Sequence, residues 1–230
     1  MTGIQFSPDS IDAILFDLDG TLVKTDDRWS RTVADKLAPL GRLSPRFDTH
    51  LLARRLLVVI ETLANYLLSI LEHLGLSTSF FGLTDRFRRS KGLATREDRA
   101  LIEGTEALLR DLTDNYRLAV VTTRARPEAS ALIKHAELER FFPVVITRQD
   151  ILYMKPHPEP VRKAAARLGV APERCLMVGD TGMDIRSARR AGAYAVGVLS
   201  GVGARAELER AGAHLILECA SRLLDHLRVP

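Results

Sequence analysis

Short apolar runs that stop at polar turn residues recur along this chain. Ile11-Asp-Ala-Ile-Leu-Phe16 runs into Asp17-Leu-Asp-Gly20, Leu118-Ala-Val-Val121 into Thr122-Thr123, and Val144-Val-Ile146 into Thr147-Arg148. Cys175-Leu-Met-Val178 likewise meets Gly179-Asp180, and Ala195-Val-Gly-Val-Leu199 meets Ser200-Gly201. Runs this short, bounded by turn residues, are the pattern of strands buried on both faces. Helical stretches lie between them, at Glu103 to Asn115, Pro127 to Phe141 and Pro158 to Leu168; Pro127 suits a first helical turn and Gly169 a helix end. The alternation predicts an α/β fold, a parallel sheet covered by helices on both faces, with ligands bound at the carboxyl ends of the strands. Four of the runs place Asp or Thr at that edge.

The alternation stops between about Val23 and Leu101. Trp29, Val33, Leu37 and Leu40 fall there on one helical face, and a second stripe at i, i+3 and i+4 spacing runs from Leu52 through Ile60 and Leu67 to Leu74. The expected organisation is therefore a discontinuous α/β core, residues 1–24 and 102–230, carrying a helical insert at residues 25–101. Leu51 to Leu74 is the most apolar stretch, yet Arg54, Arg55, Glu61, Asn65 and Glu72 interrupt it. A charge at the centre of a membrane span costs about 2.5 to 3.5 kcal/mol, so a buried helix and no membrane partner are expected.

Composition narrows the function classes. The 230 residues, 46% of them hydrophobic and 27% charged, are ordinary for a folded globular protein. A net charge of +4 without a long polybasic block gives no support to nucleic-acid binding. Arg86, Arg88, Arg89, Lys91, Arg96 and Arg99 form a local basic run, which reads first as a solvated helix face and second as a means of recruiting anions. Cys175 and Cys219 stand alone, without metal-ligand or disulfide spacing, which fits a reducing cytoplasm. The first ten residues lack a basic start followed by an apolar run, so no secretion signal is expected.

The residues at the strand ends carry candidate chemistry. Asp17 and Asp19, two apart, can turn both carboxylates toward one side of the chain. One can attack phosphorus while the other gives a proton to the leaving oxygen and later activates water. The same residues also fit an Asp-Gly turn with a solvated strand end. Asp180 can supply a hard oxygen ligand to Mg²⁺ or cap a helix, and Gly179 and Gly182 would let backbone approach the ion. The Thr122 hydroxyl can hold a phosphoryl oxygen, and Lys155 can neutralise charge among the carboxylates. His157 reads as a solvated loop residue.

Taken together and in order, these elements resemble the haloacid dehalogenase superfamily. Its first motif matches Phe16-Asp-Leu-Asp-Gly-Thr21, its second Val121-Thr122, its third Met154-Lys155-Pro-His-Pro158 and its fourth Val178-Gly-Asp-Thr-Gly-Met-Asp184. Similarity to the phosphoglycolate phosphatase-like branch runs from about Glu103 to Gly201, and the insert falls where that branch carries a helical cap. The resemblance implies a Rossmann-like core and a Mg²⁺-dependent phosphatase forming an aspartyl phosphate on a small phosphorylated metabolite, as a monomer or homodimer. It makes Asp17 nucleophile and metal ligand, Asp19 acid/base and ligand through its carbonyl, Thr122, Thr123 and Lys155 substrate-binding, Asp180 the third metal ligand and Asp184 a supporting residue behind them. Thr123 and Arg124 depart from the branch, which often has Asn and then Lys after the threonine. Asp19 argues against a dehalogenase, which needs no protonated leaving oxygen. A sugar-phosphate mutase shares all four motifs, and a phospho-accepting receiver domain shares the chemistry but not the Asp-x-Asp pair or the insert.

Overall fold

The structure is a computed structural model that describes residues 10–24 and 100–227. The chain divides into two compact units, Met1–Thr25 with Thr95–Pro230, and Asp26–Ala94. All the described residues belong to the first. The expected helical stripes and the basic run from Arg86 to Arg99 lie outside the described residues.

Six strands form one sheet: β1 (Ala13–Phe16), β2 (Arg117–Val121), β3 (Val144–Ile146), β4 (Cys175–Gly179), β5 (Tyr194–Val198) and β6 (Leu215–Leu217). Their order is β3-β2-β1-β4-β5-β6 and every pairing is parallel. Phe16 at the end of β1 stands opposite Val120 on one side and Val178 on the other, so Asp17 leaves the sheet between β2 and β4. The strand order reverses at β1 and β4, which makes the crevice at their carboxyl ends the natural ligand position. Five helices connect the strands: α1 (Thr105–Thr113), α2 (Arg126–His135), α3 (Glu159–Leu168), α4 (Gly182–Ala191) and α5 (Arg205–Ala211).

Apart from the exposed Arg117 that opens β2, the strands carry no charged residue because both faces are covered; every residue of β1 and β4 is buried. On one face Phe16 meets the ring of Phe142 edge-on at 6.2 Å, and Leu108, Leu109 and Leu112 of α1 fill the same core. The α3 helix ends at Gly169 in the left-handed region, φ 68, as its sequence position predicts.

Two expectations are corrected. The stretch from Pro127 to Phe141 is not one helix: α2 ends at His135, Glu137 turns the chain at φ 55, and Glu139–Phe141 forms a separate 3₁₀ turn. That break lets Leu138, Phe141 and Phe142 reach the core. The sheet also has a sixth strand, β6, whose three residues at the sheet edge are not among the apolar runs picked out in the sequence.

Where the alternation stops, the two ends of the excursion lie side by side. Val23 bridges Leu101, the Lys24 N–H donates to the Ala100 carbonyl at 3.0 Å, and the Ile102 N–H donates to the Leu22 carbonyl at 3.0 Å. The chain thus leaves and re-enters the core through a two-stranded neck directly after the Asp17–Gly20 turn. Among the described residues no helix is long and apolar enough to cross a membrane.

If the buried sheet face carries the stability, Phe16→Ala should destabilise the protein by about 3 to 5 kcal/mol in chemical denaturation. Arg110→Ala, which removes an exposed i,i+4 pair with Glu106 on α1, should cost no more than about 0.5 kcal/mol.

Candidate active site

The carboxyl ends of β1, β2 and β4 gather one lysine and three aspartates in a space nearly closed to solvent. The Lys155 ammonium donates to Asp17 Oδ1 at 2.7 Å, to Asp184 Oδ1 at 2.5 Å and to the carbonyl of Val121, the last residue of β2, at 3.0 Å. Three acceptors satisfy its three protons. The lysine loop is itself held from both sides: Glu159 at the start of α3 accepts from the Leu152 and Tyr153 N–H groups, and Ser187 of α4 donates to the His157 carbonyl at 2.7 Å. His157 is exposed, as its sequence context predicts, with its ring against Tyr153.

Asp184 is bound on both oxygens. Lys155 takes Oδ1, while Oδ2 accepts from the Thr181 N–H at 3.1 Å and the Thr181 hydroxyl at 2.5 Å, closing a capping box at the start of α4. The helix cap is therefore Thr181 and not Asp180. Gly179 and Gly182 also play another part than expected. A Cβ at Gly179 would fall 2.4 Å from the Cβ of Asp184, and one at Gly182 would fall 2.8 Å from Glu207, so both make room for side chains.

Asp180 has its own cradle. Its Oδ2 accepts from the Val202 N–H at 2.8 Å. A Cβ on Gly201 would stand 1.9 Å from that oxygen, one on Gly20 2.6 Å away, and one on Gly203 1.8 Å from the Asp180 carbonyl. The Ser200 hydroxyl donates to the Gly20 carbonyl at 2.7 Å, tying the loop after β5 to the loop after β1. Gly20 adopts φ 75, where a side chain would be strained as well as crowded. The sequence reading passed over Ser200 to Gly203; its signal was a glycine-rich turn at the same strand edge as the aspartates.

Charge accounts for the electrostatics. Burial, then the carboxylates of Asp184 and Asp19, push Asp17 up to about 7 against the pull of Lys155. Burial, then Asp17 and Asp184, raise Asp180 well above the ordinary carboxylate range. Burial works to lower Lys155, but Asp17 and Asp184 outweigh it and hold the ammonium above its ordinary value. Fully ionised, Asp17, Asp180 and Asp184 would bring three negative charges against the single positive charge of Lys155, leaving two for a divalent cation to cancel.

The donor chemistry fits such an ion: hard carboxylate and carbonyl oxygens. Among the described residues no three His, Cys, Asp or Glu side chains form a preformed metal cage. The expected ligand set needs only two carboxylates, Asp17 and Asp180, together with the Asp19 backbone carbonyl. The fit therefore rests on donor type and charge.

Asp19 and Thr122 join the site through a residue to which the sequence reading gave no role. Arg124 donates from Nε to Asp19 Oδ2 at 2.5 Å and from its terminal nitrogen to Oδ1 at 2.7 Å, and its backbone N–H donates to the Thr122 hydroxyl oxygen at 3.2 Å. Burial acts to lower the Arg124 guanidinium, but Asp19 outweighs it and raises it further. Thr123 is half-buried next to Thr122, and among the described residues no contact ties its side chain to the aspartates.

A model of the haloacid dehalogenase-like hydrolases matches residues 11–192. Pyrophosphatase PpaX of Bacillus cereus is 40% identical over 112 residues, covering 49% of this chain and 52% of that protein. The chain thus spans about half the length of the curated relatives it matches. Among solved structures, a β-phosphoglucomutase-type protein of Thermotoga maritima aligns with TM-score 0.67 at 25% identity, over 94% of this chain and 98% of the other. CbbY of Rhodobacter sphaeroides, solved in complex with phosphate, aligns with TM-score 0.65 at 27% identity, over 93% and 96%. With the family model covering most of its length, the chain belongs to the haloacid dehalogenase-like hydrolases.

Proposed function

We propose that the protein is a Mg²⁺-dependent phosphatase that hydrolyses a small phosphorylated metabolite through an aspartyl phosphate on Asp17. The observation that carries this reading is the grip of buried Lys155 on Asp17 Oδ1. It holds one carboxylate oxygen at the end of β1 and leaves the second as the nucleophile, with 11% of the side chain still open to an incoming group. The relatives named pyrophosphatase make inorganic pyrophosphate one member of the substrate panel.

In this reading Asp17 attacks phosphorus, the bond from phosphorus to the leaving oxygen breaks, and Asp19 gives its proton to that oxygen. Asp19, now ionised, takes a proton from water as the water oxygen attacks the same phosphorus. The bond to Asp17 breaks, releasing phosphate and restoring both aspartates. Thr122 offers its hydroxyl and Lys155 its positive charge to the phosphoryl group, with Thr123 beside them, and Asp184 keeps the ammonium in place. Asp17, Asp180 and the Asp19 carbonyl would hold Mg²⁺, which when bound supplies positive charge against the phosphoryl group.

The assignment of residues 1–24 and 102–230 to the core and of 25–101 to a cap that selects the substrate belongs to the same proposal. It is supported by the neck at Val23 and Leu101, which opens directly beside the Asp17–Gly20 turn. A mutase is the second reading, favoured by the likeness to the β-phosphoglucomutase-type protein. It predicts phosphoryl return to a sugar phosphate instead of release to water.

Phosphate release from a panel of phosphorylated metabolites, pyrophosphate and 4-nitrophenyl phosphate tests the proposal. The wild-type protein should turn over at least one with Mg²⁺ present. Asp17→Asn should lose about 10⁴-fold or more in kcat while keeping its circular dichroism, because it removes the nucleophile itself. Near wild-type turnover in that variant would refute the assignment, and sugar-phosphate interconversion without net phosphate release would favour the mutase.

The buried charge predicts a pH signature in the metal-free protein. Asp17 and Asp180 bind protons more tightly folded than unfolded, so their contribution to stability is fully present below pH 4. It is lost as pH rises, for Asp17 through about 7. Denaturation in chelator should therefore show stability falling across that window. Mg²⁺ at about 100 times its Kd should restore about 2.7 kcal/mol at neutral pH, and Asp180→Asn should abolish the gain. An unchanged denaturation midpoint on adding Mg²⁺ to the wild-type protein would count against the metal.

A further inference from the structure

Arg124 stands where the loop after β2 meets the aspartate pair. Its Nε and terminal nitrogen reach Asp19 Oδ2 and Oδ1 at 2.5 and 2.7 Å, a fork on both carboxylate oxygens at once. The contact is largely sheltered, with 10% of the arginine side chain and 30% of the aspartate side chain exposed. The arginine backbone is tied at both ends: its N–H donates to Thr122 Oγ1, and its carbonyl accepts from the Arg148 N–H at 3.0 Å. Glu128, one turn along α2, brings a second carboxylate within 3.9 Å of the guanidinium.

The residues of the loop after β1 impose a strict demand on Asp19. Its carboxyl group must meet a leaving oxygen and then a water from one orientation, which leaves the side chain little rotational freedom to keep. A misplacement of about 1 Å costs on the order of 100-fold in rate. A fork contact removes that freedom, because two parallel N–H bonds fix the carboxylate plane as well as its distance. The fork takes one acceptor position on each oxygen, which the protonated carboxyl can supply as well as the ionised one, so the grip and a proton transfer are compatible.

We propose that Arg124 is the positioning residue of Asp19, fixing its carboxyl group in the orientation from which it exchanges a proton with the leaving oxygen and the attacking water. The inference rests on the phosphatase reading above. It also gives a physical role to the departure of this chain from its branch at position 124. Lysine there could supply the charge but not the two-point geometry.

The test compares leaving groups. An alkyl phosphate needs a proton on its departing oxygen, whereas 4-nitrophenolate departs without one. In Arg124→Met, kcat on an alkyl phosphate should fall about 100-fold, at least about tenfold more than on 4-nitrophenyl phosphate, with KM changed less than about threefold. Arg124→Lys should recover only part of that loss. An equal loss on both substrates, or a loss confined to KM, would overturn the inference, since Arg124 would then be supporting the fold or binding the phosphoryl group.

A second measurement needs no turnover. The Arg124 Nε–H resonance, assigned by its disappearance in Arg124→Lys, should be protected from hydrogen exchange in the wild-type protein. It should lose that protection in Asp19→Asn and keep it in Asp17→Asn. An unprotected resonance in the folded wild-type protein overturns the inference even where phosphatase activity is normal. A protected resonance in a protein that hydrolyses no phosphate ester overturns instead the phosphatase reading, and with it the reaction that Arg124 would serve.

Discussion

An ammonium buried among carboxylates is the constraint on which the rest of this site depends. Lys155 is almost wholly withdrawn from water, and taking a charge from water costs several kcal/mol unless partners replace the lost hydration. Here Asp17, Asp184 and the Val121 carbonyl replace it from three different elements. The lysine therefore fixes the spacing between β1, β2 and the start of α4. Removing it would leave two buried carboxylates facing each other, the situation in which breaking a buried pair costs about 3 to 5 kcal/mol.

The surplus of negative charge gives the arrangement its chemical bias. Electroneutrality would take two more buried cationic side chains, yet Arg124 pairs with Asp19 and the remaining carboxylates share one lysine. Around Asp180 the chain instead clears space: Gly20, Gly201 and Gly203 lie so close that any side chain would strike its oxygens. Two loops from different strands are locked together by the Ser200 hydroxyl to hold that geometry. The protein thus maintains a concentrated, sterically defined anionic pocket at the switch point of its sheet, an arrangement that favours a hard cation and a phosphoryl group together.

Much of this was legible in the sequence because parallel strands buried on both faces must be apolar and must stop at polar turns. That rule found β1 to β5 to within a few residues and put Asp17, Thr122 and Asp180 at one edge. Lys155 was identified by its motif, but its partners could not be read from sequence, since Asp17 and Asp184 lie far from it along the chain. Three things escaped. The β6 run is as short as β3 but ends at Glu218-Cys219, with no Thr, Gly or Asp turn to mark it, and the break at Glu137 depends on tertiary packing of Leu138 and Phe142. The roles of Arg124 and of the loop from Ser200 to Gly203 arise from contacts between strand-end loops far apart in sequence, and the glycine-rich turn at Ser200 to Gly203 marks a loop without naming its partner.

The central claim is that Asp17 carries the phosphoryl group during turnover, and trapping that intermediate tests it most directly. Protein mixed with a turned-over substrate and Mg²⁺ would be quenched in acid and reduced with borohydride, which converts an aspartyl phosphate to homoserine. The modified residue would then be located by peptide mass spectrometry. The account predicts homoserine at position 17 and nowhere else, in an amount that falls when the substrate is exhausted. Homoserine at position 19 or at another aspartate, or steady turnover with no reducible intermediate at any quench time, would contradict it.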